Sequence, residues 1–299
     1  MPAQSGVVTT NNIDVTVREI DFVERFQSNF AQIQEMMGVI RPIRKENGAK
    51  VRVLKTTGTL ENSVGEGEVI PFSEYNTEVV ATYDVAVDKK ATAVTLEAVK
   101  EYGYEVAVAR KDSQFLNDLQ ATVLGNFYAF LATGELTNET ADADIRDALA
   151  KARGSLINKF RSIHKGLTEI VGFVNANDMF AYLGDKANGA LNATPSTVAG
   201  EQILRDFLGY RTVFLCSDDE VAPGTVIATP VENINMYYVD PSDSEYARIG
   251  LQYTTQGETN LIGFHTEGNY SRAQGESYAL LGVSFFAELL DGIAVRSFS

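Results

Sequence analysis

The sequence predicts an α+β protein made of an amino-terminal arm, a long extended β-hairpin, a spine helix and an α/β middle that returns to β structure. Three observations predict it. Two β-branched runs, around "VRVLKTT" and "EVVATYDVAVDKKATAVTL", flank an irregular polar connection at about 59–77. That connection is too long for a tight turn and must therefore have a function or pack on something else. Phe115, Leu119, Val123 and Phe127, followed by Phe130 and Leu131, recur at helical spacing until Gly134, the pattern of one long amphipathic helix. Between 139 and 239, short apolar runs alternate with helical patterns, as strands and helices do in layered α/β units.

Taken in order, residues 1–16 are small, polar and β-branched, a tail that needs a partner surface to become ordered. Val23, Phe26, Phe30, Ile33 and Met37 then fall three and four apart, which predicts a helix with a wide apolar stripe. The stripe either docks on the chain's own core or lies across another subunit. "RPIRKENGAK" is a basic turn region, and the hairpin follows. At its centre "SVGEGEVIP" places Gly65, Glu66, Gly67, Glu68 and Ile70 together. The glycines allow backbone angles that other residues resist. The helical pattern from Glu97 or Tyr104 to Ala132 is the spine, with Phe115, Leu119, Val123 and Phe127 as its core face. In "TNETADADIRDALAKAR", Asp142 and Asp144 crowd a helix start, where the helix dipole favours anions. Its expected buried face is Ile145, Leu149, Ala152, Leu156 and Phe160. The stretch 185–200 reads as a polar loop, and from Glu245 onward the pattern is β again.

Composition narrows the function. The chain has 299 residues, about two domains by size. A net charge of −15 and a pI near 4.6 argue against a protein that grips nucleic acid directly. The single cysteine, Cys216, lies in an apolar run and can form no intrachain disulfide. No apolar run reaches membrane-spanning length, and the first residues do not have the pattern of a signal peptide.

Motifs for chemistry fail one by one. Counted from Gly65, the sixth position of a dinucleotide fingerprint is Ile70, and Glu68 and Val69 stand where a phosphate loop needs Lys and Ser or Thr. Glu66 and Glu68 would repel a phosphate. Ser162-Ile163-His164-Lys165 matches S-x-x-K without its companion elements. His164 and His265 are far apart and have no zinc spacing. Asp218, Asp219 and Glu220 read as a turn before Pro223-Gly224. No catalytic, cofactor-binding or metal-binding residue is predicted, and the chemistry left is that of shape and association.

The order of elements, with Val64-Gly65-Glu66-Gly67 and then Ile70-Pro71 inside the hairpin, resembles the major capsid protein of tailed bacteriophages, with its Hong Kong 97-type capsid fold. The resemblance covers nearly the whole chain. It implies an arm at 1–47, an extended loop at 48–95, a peripheral domain at 96–138 and 240–299, and an axial domain at 139–239. It also implies self-assembly into hexamers and pentamers of an icosahedral shell around double-stranded DNA, in a virion built in the bacterial host cytoplasm. A separate scaffolding protein, a portal and a decoration protein are the implied partners, with no enzyme activity, no cofactor and no membrane. Gly65, Glu66, Gly67, Glu68 and Ile70 would touch a neighbouring subunit, with the acids solvated or paired with its bases. Phe26, Phe30 and Ile33 would do the same from the arm. The alternatives are an encapsulin-like nanocompartment shell, a soluble α/β enzyme, and another virion component.

Overall fold

The computed structural model describes residues 18–26, 42–167, 169–184, 195–198, 201–255 and 260–299. Phe30, Ile33, the tail 1–16 and most of the loop 185–200 lie outside them. Six helices follow in chain order: α1 at 18–26, α2 at Leu96–Tyr102, α3 at Arg110–Leu131, α4 at Ile145–Ser162, α5 at Ala176–Gly184 and α6 at Ser244–Arg248. One π-helical segment, Glu105–Ala109, joins α2 to α3.

A mixed seven-stranded sheet organises the body. Its order is Leu136–Thr137, Ala294–Ser297, Thr225–Pro230, Ile170–Asn175, Thr212–Cys216, Glu201–Arg205 and Ser196–Val198. The strand Ile170–Asn175 is buried throughout, which explains its unbroken apolar sequence. Its side chains serve two cores by turns. Ile170 and Val174 join the face of α4 formed by Ile145, Leu149, Ala152 and Leu156. Val171 and Phe173 join the spine α3 through Leu119, Val123 and Phe127. Phe127 sits 5.8 Å from Phe173 and 5.1 Å from Phe285, spacings that suit edge-to-face aromatic packing. Phe115 is half-buried at the margin of the same core. Gly134 both ends the spine and admits Ile293, since a Cβ there would lie 2.7 Å from the Ile293 Cγ2 and carbonyl oxygen.

Among the described residues three smaller sheets accompany it. Pro42–Lys45 runs parallel to Ile234–Val239, which pairs antiparallel with Val283–Ala287. Ile262–Asn269, Gln274–Leu281 and Asp88–Thr95 form a second sheet. The third is the hairpin, Ala49–Gly58 against Tyr75–Val85.

The structure redraws two boundaries. The hairpin ladder stops at Val85, and Asp88–Thr95 belongs to the sheet of Gln274–Leu281. The strand Ala294–Ser297, expected in the peripheral domain, is an inner strand of the large sheet. The helix-start aspartates also separate. Asp144 caps α4, its carboxylate accepting from the Asp147 N–H at 2.7 Å. Asp142 is instead 4 % exposed and receives Arg296 at 2.7 and 3.0 Å and Lys151 at 3.0 Å.

Candidate assembly surfaces

The hairpin departs from the body at a defined point. Its pairing runs from Ala49↔Val85 to Val53↔Ala81 and resumes at Leu54↔Val79, so Val80 is bulged out. Before the bulge, half-buried Val51 and Val53 alternate with exposed Lys50 and Arg52. Beyond it every residue of Leu54–Gly58 and Tyr75–Val80 is exposed. Two strands with no covered face are marginal by themselves. A Thr56–Thr77 hydroxyl contact of 2.9 Å is one of the few side-chain ties across the ladder.

The tip brings Gly65, Glu66, Gly67, Glu68 and Ile70 together. The Gly65 N–H donates to the Glu68 carboxylate at 3.0 Å, and the Glu68 N–H donates to the Gly65 carbonyl at 3.3 Å. Gly67 turns the chain with φ +87°, where a side chain would be strained. Ser73 Oγ accepts from the Glu61 N–H at 3.0 Å and draws the two ends of the tip together. Four large apolar residues stand in solvent here: Leu60 at 77 %, Val69 at 90 %, Ile70 at 77 % and Phe72 at 97 %. Phe72 was missed from sequence. Its signal in the sequence is an aromatic residue next to Pro71 in a segment rich in Gly, Glu and Ser.

The arm helix answers differently. Phe26 is wholly buried, along with Phe22 and Val23, in the core that holds the spine. Phe22 stacks on Phe264 at 4.0 Å. Two polar locks hold α1 in place. Arg18 Nη2 reaches Asp112 of the spine at 2.8 Å and Ser277 at 3.1 Å. Burial is the largest single influence and opposes the Arg18 charge, but the hydrogen bond and charge of Asp112, with Tyr104 and Glu19, together outweigh it and raise the pKa. The Glu19 carboxylate accepts from the Thr266 N–H at 2.6 Å, the Thr266 hydroxyl at 2.8 Å and the Thr254 hydroxyl at 2.5 Å. Phe26 thus contacts its own chain.

A third exposed region is the corner around α2, a helix with no buried residue. Leu96, Tyr102, Tyr104 and Val106 are each about half exposed, and Tyr270, on the adjoining turn, is fully exposed.

Little here supports chemistry. Among the described residues, no group of three or more His, Cys, Asp or Glu is placed to hold a metal ion. Ser162 Oγ donates to the Lys159 carbonyl, and Lys165 pairs with Glu288, so the S-x-x-K residues are engaged elsewhere. Cys216 is buried. Asp218 accepts from Asn175 at 2.7 Å and Asn177 at 3.2 Å, tying α5 to the turn that follows Cys216. No helix among the described residues is long and apolar enough to cross a membrane.

No family model and no curated protein matches this chain. Solved structures do. The capsid of an empty GTA particle superposes with a TM-score of 0.55 at 12 % identity, covering 88 % of this chain and 90 % of its own. Mycobacterium phage Patience gives 0.51 at 12 % identity, covering 100 % and 94 %. The mature capsid of bacteriophage PhiM1 gives 0.54 at 8 % identity, covering 86 % and 85 %. The chain has the Hong Kong 97-type capsid fold. Two of these neighbours are capsids by name. A virus-like particle from Pyrococcus furiosus matches nearly end to end, with a TM-score of 0.50 at 12 % identity over 94 % of this chain and 99 % of its own.

Proposed function

We propose that this chain is the major capsid protein of a tailed phage. It assembles into hexamers and pentamers of an icosahedral head around double-stranded DNA. One observation carries the reading: on a capsid-shell fold, a two-stranded arm holds Val69, Ile70 and Phe72 in solvent, where they gain nothing until another subunit covers them. Repeating one such contact around a closed ring gives cyclic capsomers. Phe30 and Ile33 of the arm are the second inter-subunit contact in this proposal. The net charge of −15 leaves enclosed DNA loosely held, with no sequence-specific grip. The protein acts without catalysis or cofactor. It works with a separate scaffolding protein, a portal and a decoration protein, and assembly takes place in the bacterial host cytoplasm.

The test is expression with and without the neighbouring reading frames, followed by light scattering after size exclusion and negative-stain microscopy. Closed shells or capsomer rings are expected, and DNA-filled heads when the phage genes are present. Shells filled with enzyme and lacking DNA would replace the phage head with an encapsulin-like compartment. A monodisperse monomer or dimer under every condition would overturn both.

A further inference from the structure

Arg153 on α4 is a base without an acid. Among the described residues the half-buried bases are Arg18, Lys45, Lys111, Arg153, Lys159 and Arg296. All but Arg153 are answered within the chain. Arg18 and Lys111 meet Asp112, Lys159 meets Asp291, Arg296 meets Asp142, and Lys45 lies over the Tyr237 ring. Among the described residues the Arg153 side chain has neither an ion pair nor a hydrogen bond, and its Nε is enclosed with no acceptor. Enclosed polar groups are normally satisfied, and each exception calls for a reason. The backbone beside it is bent to fit. In the loop between Glu201–Arg205 and Thr212–Cys216, Asp206, Leu208 and Gly209 have φ of +53°, +51° and +78°. That left-handed region suits glycine and strains Leu208. The guanidinium lies face-on to Gly209, where a Cβ would sit 2.8 Å from Arg153 Cζ, 3.0 Å from Nη2 and 3.1 Å from Nη1. Tyr210 fixes the loop there, its hydroxyl donating at 2.7 Å to the carbonyl of Leu149, one turn before Arg153 on α4. Asp206, the loop's own acid, is exposed and makes no ion pair with Arg153.

Backbone strain held around an unanswered charge is the mark of a site kept for a partner. We propose that Arg153 and the loop 206–209 form a receptor for a carboxylate side chain from a second copy of this chain. The enclosed Nε leaves Nη1 and Nη2 as the open end of the guanidinium. That end is a planar fork of parallel donors, which matches the two oxygens of one carboxylate. The chain is itself a rich source of the ligand, with 40 acids against 25 bases. Its net charge of −15 repels the competing oxyanion, a phosphate polymer. A copy that places an acid on its neighbour's Arg153 keeps its own Arg153 for the next copy. Such a contact is heterologous, with different patches meeting, which is the kind that closes rings. This inference rests on the shell-forming reading and adds to it a site on the α4 side of the large sheet, separate from the hairpin.

Chemistry at the guanidinium tests it. Phenylglyoxal modifies arginine side chains that no carboxylate holds, and peptide mass spectrometry reads Arg153 separately from the other arginines. Arg153 should react several times more slowly in DNA-free rings or shells than in the free subunit. Slowing confined to DNA-filled heads would give the site to phosphate, and equal rates throughout would abolish it; either result overturns the proposal while the shell reading stands. Two variants separate contact from fold. Arg153→Met keeps the stem and removes the charge. Its free subunit should unfold at the wild-type midpoint or above, because the guanidinium has no partner at home, while ring yield falls about tenfold or more. Arg153→Lys keeps the charge without the fork and should recover only part of that yield. A lower midpoint for Arg153→Met with ring yield unchanged would make Arg153 a support of its own chain and overturn the proposal. A wild type that forms no ring or shell with its neighbouring genes present would overturn the shell reading, and this site with it.

Discussion

Asp142 shows how much of this protein hangs on single buried groups. It ties together two parts of the chain: its carboxylate accepts from Arg296 on an inner strand and from Lys151 on α4, and its backbone pairs with Ser297 and Ser299 beside Arg296. Removing it leaves the Arg296 guanidinium, 13 % exposed, without the carboxylate it pairs with. Asp142→Ala should therefore cost about 3–5 kcal/mol, read from urea unfolding. The hydrogen bond from Arg296 holds the Asp142 carboxyl below its ordinary value. A depressed folded-state value means the contribution is fully present above the unfolded value, about 3.9, and is lost as pH falls through the folded one. Unfolding midpoints across that acid range should fall more steeply for the wild type than for Asp142→Asn. Glu19 is the second such group. Glu19→Ala should cost about 1–3 kcal/mol by stranding the Thr266 N–H, with faster amide exchange at Thr266. Neither role was legible in the sequence. Asp142 reads locally as one of two acids at a helix start, which is true only of Asp144. Its main partner lies 154 residues away, and no spacing rule reaches that far.

Elements were read better where one periodicity runs unbroken. The spine was legible because Leu119, Val123 and Phe127 keep to one face, and all three are buried. Phe127→Ala should cost about 3–5 kcal/mol, measured by thermal or denaturant unfolding, because three aromatic rings close on it. The hairpin was legible from its long glycine-acid connection, but its end was not. From Glu78 to Thr95 the alternation continues almost without a break, and alternation does not say which strand is the partner. The change of sheet at Ala86–Val87 is a tertiary choice, made when Gln274–Leu281 arrives from far along the chain. The tip predicts a separation of effects. Replacing Val69, Ile70 and Phe72 together with serine should change monomer stability by less than about 0.5 kcal/mol and abolish ring formation, seen by size exclusion. Loss of both together would show that the tip packs on its own chain.

At the scale of the molecule, an unassembled subunit is a stable body carrying an uncovered limb. Limited proteolysis should cut the free chain first within 59–74, where every residue but Ser73 is exposed. The same bond should survive in assembled particles. The large sheet adds a constraint of another kind. Its strand Ala294–Ser297 is inserted between Leu136–Thr137 and Thr225–Pro230, elements made far earlier in the chain. A ribosome that has emitted the spine, α4 and most of the sheet still holds a sheet with a gap beside its edge strand Leu136–Thr137. At ordinary speeds of about 5–20 residues per second, that gap persists for seconds after Pro230 emerges. Placing a late-translated strand second in the sheet therefore ties closure of that sheet's edge to the synthesis of residues 294–297.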